Sequence, residues 1–462
     1  MADLHVDALV IGSGQGGGPL ASAFARAGRR TVLIERRHVG GTCINEGCTP
    51  SKTMIASARV AYLAKRAADF GVRCGDVSVD LSSVVARKRA IVSDFRNGSE
   101  RRLADAGVEV LFGDARFVGE RRVEVHASDG TTRTLVAPIV VINTGARPAR
   151  PRLSGLDQVP ALDSTSIMEL DAVPQHLLVL GGGYVGVEFA QMFRRFGSRV
   201  TIVSDGPQLL NHEDDDIAAA VASILRQDGI DILLDARATA VARVPNGMEL
   251  TVGGRGGERR LSATHLLVAT GRVPNTDALA PSAGGVDLDE HGYIKVDGRL
   301  ATTAAGVFAI GDVKGGPAFT HISYDDFRIL RANLLEAKSL TIAGRLVPYT
   351  VFIDPQLGGV GLTEREARAE GRRIAIATMP MSHVARALET AEPRGLMKVI
   401  VDCESHRILG CAVLGVEGGE IMSMLELAMM GGLTYSALRD GVFAHPTLAE
   451  SLNNLFSTLT PV

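Results

Sequence analysis

The chain has 462 residues, of which 46% are hydrophobic and 22% are charged, and its formal net charge is −3. This length allows about three domains of ordinary size, and the composition is typical of a well-packed α/β protein. The small net charge gives no reason to expect a nucleic-acid partner. No apolar run approaches the roughly 18–20 residues of a membrane span, and the first residues do not resemble a secretion leader. We therefore expect a cytoplasmic protein with no membrane partner.

The chain begins with a pattern typical of a dinucleotide-binding fold. A short apolar run leads into the loop Gly12-Ser-Gly14-Gln-Gly-Gly17, which opens a predicted helix rich in alanine, and the next apolar strand ends at Glu35. Glycines in such a loop let the backbone approach a pyrophosphate at the helix N-terminus, and the acid accepts hydrogen bonds from ribose hydroxyls. The glycine pattern alone is a weak signal. The flanking strands and Glu35 turn it into a specific prediction.

Two cysteines follow in the segment GGTCINEGCTPSK. A regular helix would hold the Cα atoms of Cys43 and Cys48 about 8 Å apart, beyond the bridging range of about 4.4–6.8 Å. The helix must therefore be bent, or not yet begun, between them, and we expect Gly47 to supply the conformational freedom. Cys48 then begins a helix whose N-terminus favours a thiolate, and Lys52 adds a cation on the same face. From spacing alone the pair could be redox-active, buried or metal-binding, although zinc would need a second pair of ligands.

A second dinucleotide motif repeats the first. A predicted strand leads into the loop Gly181-Gly-Gly183-Tyr-Val-Gly186, a helix over residues 187–196 follows, and the next strand ends just before Ser204. Gly12 and Glu35 are 23 positions apart along the chain, and so are Gly181 and Ser204. A binding module needs one such fold, whereas an enzyme that passes a hydride between two nucleotide cofactors needs two.

The end of this second motif bears on the choice of nucleotide. Where the first motif has Glu35, the second has Ser204 followed by Asp205. Asp205 would accept hydrogen bonds from the ribose hydroxyls and repel a 2′-phosphate, which favours NADH over NADPH. The alternative is that Asp205 only begins the next turn.

The segment GGTCINEGCTPSK resembles the active-site signature of the class I pyridine nucleotide–disulfide oxidoreductases, which include dihydrolipoamide dehydrogenase, glutathione reductase and mercuric reductase. The resemblance implies FAD in the first glycine motif and a pyridine nucleotide in the second. A later strand followed by Gly-Asp312 resembles the family's second flavin signature, although a lone aspartate there could simply cap a helix. The predicted cofactor-binding residues are Gly12, Gly14, Gly17, Glu35, Gly41, Thr42, Lys52, Thr144, Gly145, Gly181, Gly183, Tyr184, Gly186, Glu188, Ser204, Asp205, Gly271 and Asp312.

The resemblance also implies the roles of individual side chains. Cys43 and Cys48 would form a redox-active disulfide, with Cys48 nearer the flavin ring and Cys43 exchanging with substrate. Lys52 would stabilise the reduced flavin and pair with Glu188. Tyr184 is similar to a tyrosine that covers the nicotinamide pocket until the dinucleotide arrives. Without the resemblance, Tyr184 and Glu188 would be a packed aromatic residue and an acid favoured by the helix dipole.

The last motif is HPTLAE, which runs from His445 to Glu450. Thr447 and Glu450 have the spacing of a capping box for the final helix, in which case His445 is an incidental loop residue. The resemblance instead makes His445 the acid–base group that faces the disulfide of the other subunit, held by Glu450. Histidine suits this role because it exchanges protons near neutral pH. The two interpretations are compatible.

We therefore predict an α/β fold with two Rossmann-like dinucleotide-binding domains and a C-terminal α+β dimerisation domain. The predicted boundaries are residues 1–148 and 272–345 for a discontinuous FAD domain, 149–271 for the NAD(P) domain and 346–462 for the dimerisation domain. Within the last of these, residues 397–401 and 408–414 are predicted to form a hairpin. Its cysteines, Cys403 and Cys411, are expected to be reduced and inert.

The substrate is less well defined by the sequence. Mercuric reductases end with paired cysteines and have a tyrosine in place of His445, so mercury is disfavoured. Dihydrolipoamide dehydrogenases share the HPTxxE motif, but Glu46 and Thr49 depart from their usual apolar residues. Residues 315–330 are closer to a branch that includes reactive-chlorine-resistance flavoreductases, some of them associated with metal-ion reduction. A lipoyl group, a small disulfide and an oxidised metal ion all remain possible substrates, and no resident metal is predicted.

Two other classes of function were weighed. An NADH oxidase would pass electrons from the flavin to oxygen and would need only one active cysteine, so the presence of both argues against it. A non-enzymatic subunit of a larger dehydrogenase complex would tolerate loss of the redox pair, which this chain retains. The sequence therefore predicts an FAD-dependent homodimer that passes electrons from NADH or NADPH to a disulfide.

Overall fold

The computed structural model describes residues 3–127, 129–254 and 257–461. The chain divides into two compact units. Unit 1 consists of Met1–Thr53, Ser83–Ala149 and Gly271–Arg345, and unit 2 consists of Met54–Ser82, Arg150–Thr270 and Leu346–Val462. The first unit is discontinuous in sequence. The three-domain division stays a prediction, because unit 2 is not divided further.

The strands of the described residues are, in chain order, β1 (Leu4–His5), β2 (Ala8–Ile11), β3 (Thr31–Glu35), β4 (Glu109–Phe112), β5 (Asp114–Gly119), β6 (Arg122–His126), β7 (Thr132–Val136), β8 (Ile139–Ile142), β9 (Ala146–Pro148), β10 (His176–Leu180), β11 (Arg199–Val203), β12 (Ile230–Leu233), β13 (Ala236–Val244), β14 (Gly247–Gly254), β15 (Gly257–Ala263), β16 (His265–Val268), β17 (Arg272–Pro274), β18 (Val307–Ala309), β19 (Tyr349–Val351), β20 (Gln356–Gly361), β21 (Ile374–Pro380), β22 (Leu396–Asp402), β23 (Ile408–Gly415) and β24 (Thr460–Pro461).

The α-helices are α1 (Gly17–Arg26), α2 (Gly41–Asn45), α3 (Cys48–Lys65), α4 (Leu81–Asp105), α5 (Tyr184–Phe196), α6 (Asp215–Gln227), α7 (Thr320–Leu335), α8 (Glu364–Ala369), α9 (Ala385–Glu389), α10 (Gly418–Met430), α11 (Tyr435–Arg439) and α12 (Ser451–Phe456). Short 3₁₀ helices occur at Ala67–Phe70, Leu156–Gln158, Ser166–Glu169, Pro281–Gly284, Gly311–Lys314 and Met381–His383. In the described part of the chain, no helix is both long enough and apolar enough to cross a bilayer.

The main sheet of unit 1 is parallel and has the strand order β18-β8-β2-β3-β4. Its central strand β2 is a continuous apolar run that is buried throughout, which is typical of a parallel strand covered on both faces. Strands β2, β8 and β18 run in the same direction, so their carboxyl ends lie at the same edge of the sheet. This edge is where an open α/β sheet binds its ligand, and it carries the first glycine loop, Asn143 and Asp312.

Unit 2 contains a second parallel sheet, with the strand order β12-β11-β10-β16. The second glycine loop follows β10, and the segment Ala269–Gly271 follows the neighbouring strand β16 at the same edge. The local architecture of the first motif is thus repeated, as the sequence predicts. Helix α5 begins at Tyr184, three residues earlier than the predicted start at residue 187.

Unit 2 also contains a six-stranded sheet with the order β19-β20-β23-β22-β21-β24. The predicted hairpin is confirmed as the antiparallel pair β22–β23. Cys403 and Cys411 are both free thiols. Burial raises the pKa of the Cys411 thiol to about 12, which keeps it protonated and unreactive.

The remaining sheets are smaller. Unit 1 has a four-stranded sheet ordered β1-β7-β6-β5 and the pair β17–β9, and unit 2 has the antiparallel sheet β13-β14-β15. The two longest α-helices of the described residues are α3, which ends at Lys65 and is followed by a 3₁₀ turn, and α4.

Candidate active site

The two cysteines of the signature lie on different helices. Cys43 is within the short helix α2, and Cys48 is the first residue of α3. The predicted interruption of the helix is therefore confirmed. The expected reason for Gly47 is wrong, because Gly47 is not among the residues with a positive φ. Glycine is favoured here by crowding instead, since a Cβ on Gly47 would lie 2.9 Å from the carbonyl oxygen of Thr42.

The two thiols differ in their surroundings. Both are free, and Cys48 is exposed whereas Cys43 is partly buried. The pKa of the Cys43 thiol is raised, first by its hydrogen bond with Cys48 and then by burial, and the charge of Lys52 opposes this effect. The hydroxyl of Thr320, the first residue of α7, lies 3.5 Å from the Cys48 sulfur. The pair therefore keeps a proton on Cys43, while Cys48 sits at a helix N-terminus that favours negative charge.

The segment just before the two cysteines is hydrogen-bonded to the first glycine loop. The amide of Gly40 donates to the hydroxyl of Ser13 at 3.0 Å, and the side-chain amide of Gln15 donates to the carbonyl oxygen of Gly40 at 3.2 Å. Gly41 has a φ of 63°, and a Cβ there would lie 2.6 Å from the Cα of Gly14. The segment that leads into the two thiols is thus held against the glycine loop.

The first glycine loop leaves no space for side chains. A Cβ on Gly12 would lie 2.3 Å from the carbonyl oxygen of Asn143, and a Cβ on Gly17 would lie 2.1 Å from that of Gly12. Glu35 ends β3, and its carboxylate accepts hydrogen bonds from the amide and hydroxyl of Ser13 at 3.1 and 2.5 Å. This is the tight strand–turn–helix with a terminal acid that the sequence predicts.

Other predicted flavin contacts lie at the same sheet edge. Thr144 and Gly145 follow β8, and the hydroxyl oxygen of Thr144 is buried with no partner among the described residues. Asp312 lies in the 3₁₀ turn after β18, where burial is the main cause of its raised pKa. A ligand with hydroxyl and pyrophosphate groups would supply hydrogen-bonding partners for the side chains of Thr144 and Asp312. The residues present therefore fit FAD, whose pyrophosphate the loop would hold and whose hydroxyls Glu35 and Asp312 would bind.

The second glycine loop has the same close backbone contacts as the first. Its first glycine, Gly181, has a φ of 117°, and a Cβ there would lie 2.3 Å from the carbonyl oxygen of Ala269. A Cβ on Gly186 would lie 2.1 Å from the carbonyl oxygen of Gly181. Gly183 is the N-cap of α5, and Gly271 follows β16 with a φ of 126°. The residues present therefore fit a second dinucleotide.

The two residues predicted to choose the nucleotide differ in burial. Ser204 follows β11 and is buried, and its hydroxyl oxygen would lie 2.9 Å from a Cβ on Gly182. Asp205 is exposed at the next position. Ser204 therefore packs under the loop, and Asp205 is the one whose carboxylate is available to a ribose.

Tyr184 makes contacts that the sequence did not indicate. Its hydroxyl donates to Glu213 at 3.2 Å, and its ring stacks on Tyr349 with the centroids 5.6 Å apart. The Tyr349 hydroxyl lies 2.7 and 2.9 Å from the two carboxylate oxygens of Glu213. Glu213 is 1% exposed, and burial raises its pKa. Neither Glu213 nor Tyr349 belongs to a recognisable motif, so no local signal could have identified them.

Glu188 is buried in α5 and accepts a hydrogen bond from the amide of Phe352 at 2.8 Å. Lys52 belongs to unit 1 and Glu188 to unit 2. The pairing of these two side chains stays a prediction.

The C-terminal motif forms a histidine–carboxylate pair. The Nδ1 atom of His445 lies 2.8 Å from one oxygen of Glu450 and 3.1 Å from the other. The hydroxyl of Thr447 accepts the amide of Glu450 at 3.3 Å, but the final helix begins only at Ser451. The carboxylate of Glu450 is used by His445 and does not complete a capping box. The imidazole is 69% exposed, so it is oriented by its own chain and open to another molecule.

The sequence did not indicate a role for Asn143, which lies at the carboxyl edge of the main sheet of unit 1, where the flavin is predicted to bind. Asn143 is buried between Ile142 and Thr144, and its side chain bonds to the backbone of two distant segments. Asn143 directly precedes Thr144 and Gly145, the two residues of the segment INTG that are predicted to bind the flavin. A comparison with ATG at the matching place in the second motif could have drawn attention to it.

Two dinucleotide folds, with a thiol pair fastened to the first, define an oxidoreductase that moves electrons between a pyridine nucleotide, a flavin and redox-active cysteines. A family model described as pyridine nucleotide-disulphide oxidoreductase matches residues 6–326, and a model of the dimerisation domain of that family matches residues 347–456. The chain therefore belongs to the pyridine nucleotide–disulfide oxidoreductase family. It is an FAD-dependent enzyme that uses a pyridine nucleotide and forms a homodimer.

Several relatives match over nearly the whole chain. The probable pyridine nucleotide-disulfide oxidoreductase RclA of Escherichia coli (strain K12) is 40% identical over 455 residues, which cover 97% of this chain and 98% of the relative. The mercuric reductase of Streptomyces lividans is 35% identical over 456 residues, covering 98% and 96%. A solved Cu(II) complex of the HOCl-induced flavoprotein disulfide reductase RclA from Escherichia coli has a TM-score of 0.90 at 39% identity, covering 99% of both chains. The predicted similarity to the reactive-chlorine-resistance branch is confirmed.

Proposed function

We propose that this enzyme uses NADH to reduce a small-molecule or lipoyl-type disulfide, with Cys43 as the thiol that exchanges with substrate and Cys48 as the thiol that exchanges electrons with the flavin. The observation that carries the assignment is the hydrogen bond between the two thiols, which is the main cause of the raised pKa of Cys43. Accessibility alone would favour Cys48 as the exchanging thiol, because Cys48 is the more exposed. Charge supports the opposite assignment, because the helix N-terminus stabilises a thiolate on Cys48.

The chemistry that FAD supplies when bound is the relay of an electron pair from the nicotinamide to the disulfide. Reduction of the Cys43–Cys48 disulfide by that pair and one proton leaves a thiol on Cys43 and a thiolate on Cys48. The charge of Lys52 favours thiolate over thiol at Cys43.

Exchange with substrate needs the proton on Cys43 to move. We assign this step to His445 of the other subunit, whose exposed imidazole is oriented by Glu450. His445 takes the proton, the Cys43 thiolate attacks the substrate disulfide to form a mixed disulfide, and the leaving thiolate takes that proton from His445. Cys48 then attacks the Cys43 sulfur, which restores the enzyme disulfide and releases the second thiolate to take a proton from water.

A reductive titration tests whether the thiols take part. The holoenzyme, titrated anaerobically with dithionite, is expected to take up two electron pairs per subunit, one in the thiols and one in the flavin. The first pair should produce a long-wavelength charge-transfer shoulder, because the Cys48 thiolate then lies beside the oxidised flavin. Uptake of a single pair that bleaches the flavin directly would contradict the proposal.

Asp205 gives a separate prediction about the nucleotide. The wild-type enzyme is expected to have a higher kcat/KM with NADH than with NADPH, because an exposed carboxylate repels the 2′-phosphate. Asp205→Arg should shift the ratio of the two kcat/KM values toward NADPH by about tenfold or more. Asp171→Arg, a matched change at an exposed acid before β10, should leave the ratio unchanged. An equal ratio in the wild type and Asp205→Arg would rule out Asp205 as the selecting residue.

A metal ion is the second candidate substrate. The similarity to a solved Cu(II) complex, together with the mercuric reductase relatives, favours this candidate over an oxidase. Thiolates suit this chemistry because they are soft ligands for Cu(I), the product of Cu(II) reduction. Steady-state rates with lipoamide, glutathione disulfide, cystine-like disulfides and Cu(II) would separate the candidates. Turnover with oxygen alone at a comparable rate would favour an NADH oxidase.

A further inference from the structure

Asn143 connects two segments that are predicted to bind the flavin, the first glycine loop and the turn that carries Asp312. Its side-chain oxygen accepts the amide of Gly17, the first residue of α1, at 2.9 Å, and its side-chain nitrogen donates to the carbonyl oxygen of Ile310 at 3.0 Å. The residue is 7% exposed, and both bonds are buried. One amide group therefore joins the start of the pyrophosphate-binding helix to the strand end that carries Asp312.

The surrounding backbone is packed against this side chain. A Cβ on any of three glycines would lie 2.8 to 2.9 Å from the polar atoms of the Asn143 amide, and these glycines are Gly14, Gly17 and Gly311. Both flavin signatures thus have glycine where any larger residue would collide with the Asn143 side chain. The orientation of the amide is fixed, because only its oxygen can accept from Gly17 and only its nitrogen can donate to Ile310.

The second dinucleotide fold provides an internal comparison. Its matching position is Ala269, whose carbonyl oxygen approaches Gly181 as that of Asn143 approaches Gly12, both at 2.3 Å from the added Cβ. An alanine cannot make either side-chain bond. Helix α5 begins at Tyr184, before the glycine that matches Gly17, whereas α1 begins only at Gly17, whose amide is capped by Asn143. In the first fold a side chain therefore connects the glycine loop to a neighbouring strand end, and in the second fold the matching alanine cannot.

We propose that Asn143 is a positioning residue that makes the first fold a site of permanent FAD retention, while Ala269 leaves the second fold free to exchange its nucleotide. This inference rests on the proposed assignment of FAD to the first fold. FAD would contact the loop through its pyrophosphate and the Asp312 turn through its hydroxyl groups, so holding the two segments together lowers the entropy lost on binding. A nucleotide that enters and leaves in each turnover gains nothing from such a constraint.

The test measures FAD affinity, independently of turnover. Holoenzyme is diluted in steps and the FAD that dissociates is measured by the rise in flavin fluorescence, while NADH binding is measured by NADH fluorescence on holoenzyme that dithionite has already reduced. Asn143→Ala is expected to raise the dissociation constant for FAD at least tenfold and to leave that for NADH within twofold of wild type. Asn143→Asp, which is nearly isosteric, loses the donor to Ile310 and adds a negative charge beside the pyrophosphate. It should weaken FAD binding further, and because the position is buried, high salt should recover little of that loss.

Thr31→Ala is the matched control. Thr31 lies in β3 of the same sheet, is 3% exposed, and its hydroxyl donates to the carbonyl oxygen of Arg29 at 2.9 Å. This variant should lower the thermal stability of the holoenzyme without changing FAD affinity.

Three results would overturn the inference. The first is FAD affinity within twofold of wild type in Asn143→Ala or, if that variant does not fold, in Asn143→Asp. The second is an equal loss of FAD affinity in Thr31→Ala. The third is a correctly folded wild-type enzyme that is purified without FAD and takes up none when FAD is added. This last result would refute the flavin assignment itself, whereas the first two leave that assignment intact.

Discussion

Cys43→Ser is expected to abolish disulfide turnover, with a loss of about a thousandfold or more, because the exchanging nucleophile is removed. Reduction of the flavin by NADH should stay within about twofold of wild type, since that step precedes thiol exchange. The variant should also show the long-wavelength charge-transfer shoulder before any reductant is added. Its Cys48 can no longer form the disulfide and remains a thiolate at the N-terminus of α3.

The companion substitution separates the two thiols. Cys48→Ser should lose turnover as well but should show no shoulder in any redox state, because the thiolate next to the flavin is absent. Cys74→Ser, at an exposed free cysteine, is the control and should match wild type in both respects. A shoulder in Cys48→Ser, and none in Cys43→Ser, would reverse the assigned roles in favour of the accessibility argument.

His445→Gln is expected to lower disulfide turnover by about 10²–10⁴-fold, because glutamine cannot take and return the proton of Cys43. Stopped-flow reduction of the flavin by NADH should be unaffected. Glu450→Gln should have a smaller effect, since it weakens the orientation of the imidazole and leaves its nitrogens in place. His291→Gln, at an exposed histidine outside the motif, is the control. Equal losses in both half-reactions would show a structural role for the motif.

Mixed dimers test whether His445 acts across the interface. Subunits that carry Cys43→Ser still supply His445, and subunits that carry His445→Gln still supply the cysteine pair. Co-expression of the two inactive variants should therefore restore roughly a quarter of wild-type activity, because half of the dimers are mixed and one of the two sites in each is complete. If His445 served its own chain, no mixture would regain activity.

The two dinucleotide motifs could be predicted from the sequence because each is local. A buried strand, a glycine loop and a following helix are specified within a few tens of residues, and the glycines are required by contacts inside that unit. The interruption between Cys43 and Cys48 was predictable for the same reason, since a disulfide between residues five positions apart is incompatible with a continuous helix. The reason for Gly47 was not predictable, because its crowding by the Thr42 carbonyl depends on the path of the folded chain.

The sequence by itself therefore determined the class of fold through its local glycine motifs, and it indicated the redox pair and the histidine–glutamate motif through their resemblance to family signatures. Only the tertiary structure decided which side chains support them. Asn143 acquires its role from Gly17 and Ile310, and Tyr184 meets Glu213 and Tyr349, at places where segments far apart in the chain are brought together. Such contacts leave no periodic or spacing signal, because parallel strands and long connections set which residues become neighbours only after the chain has folded.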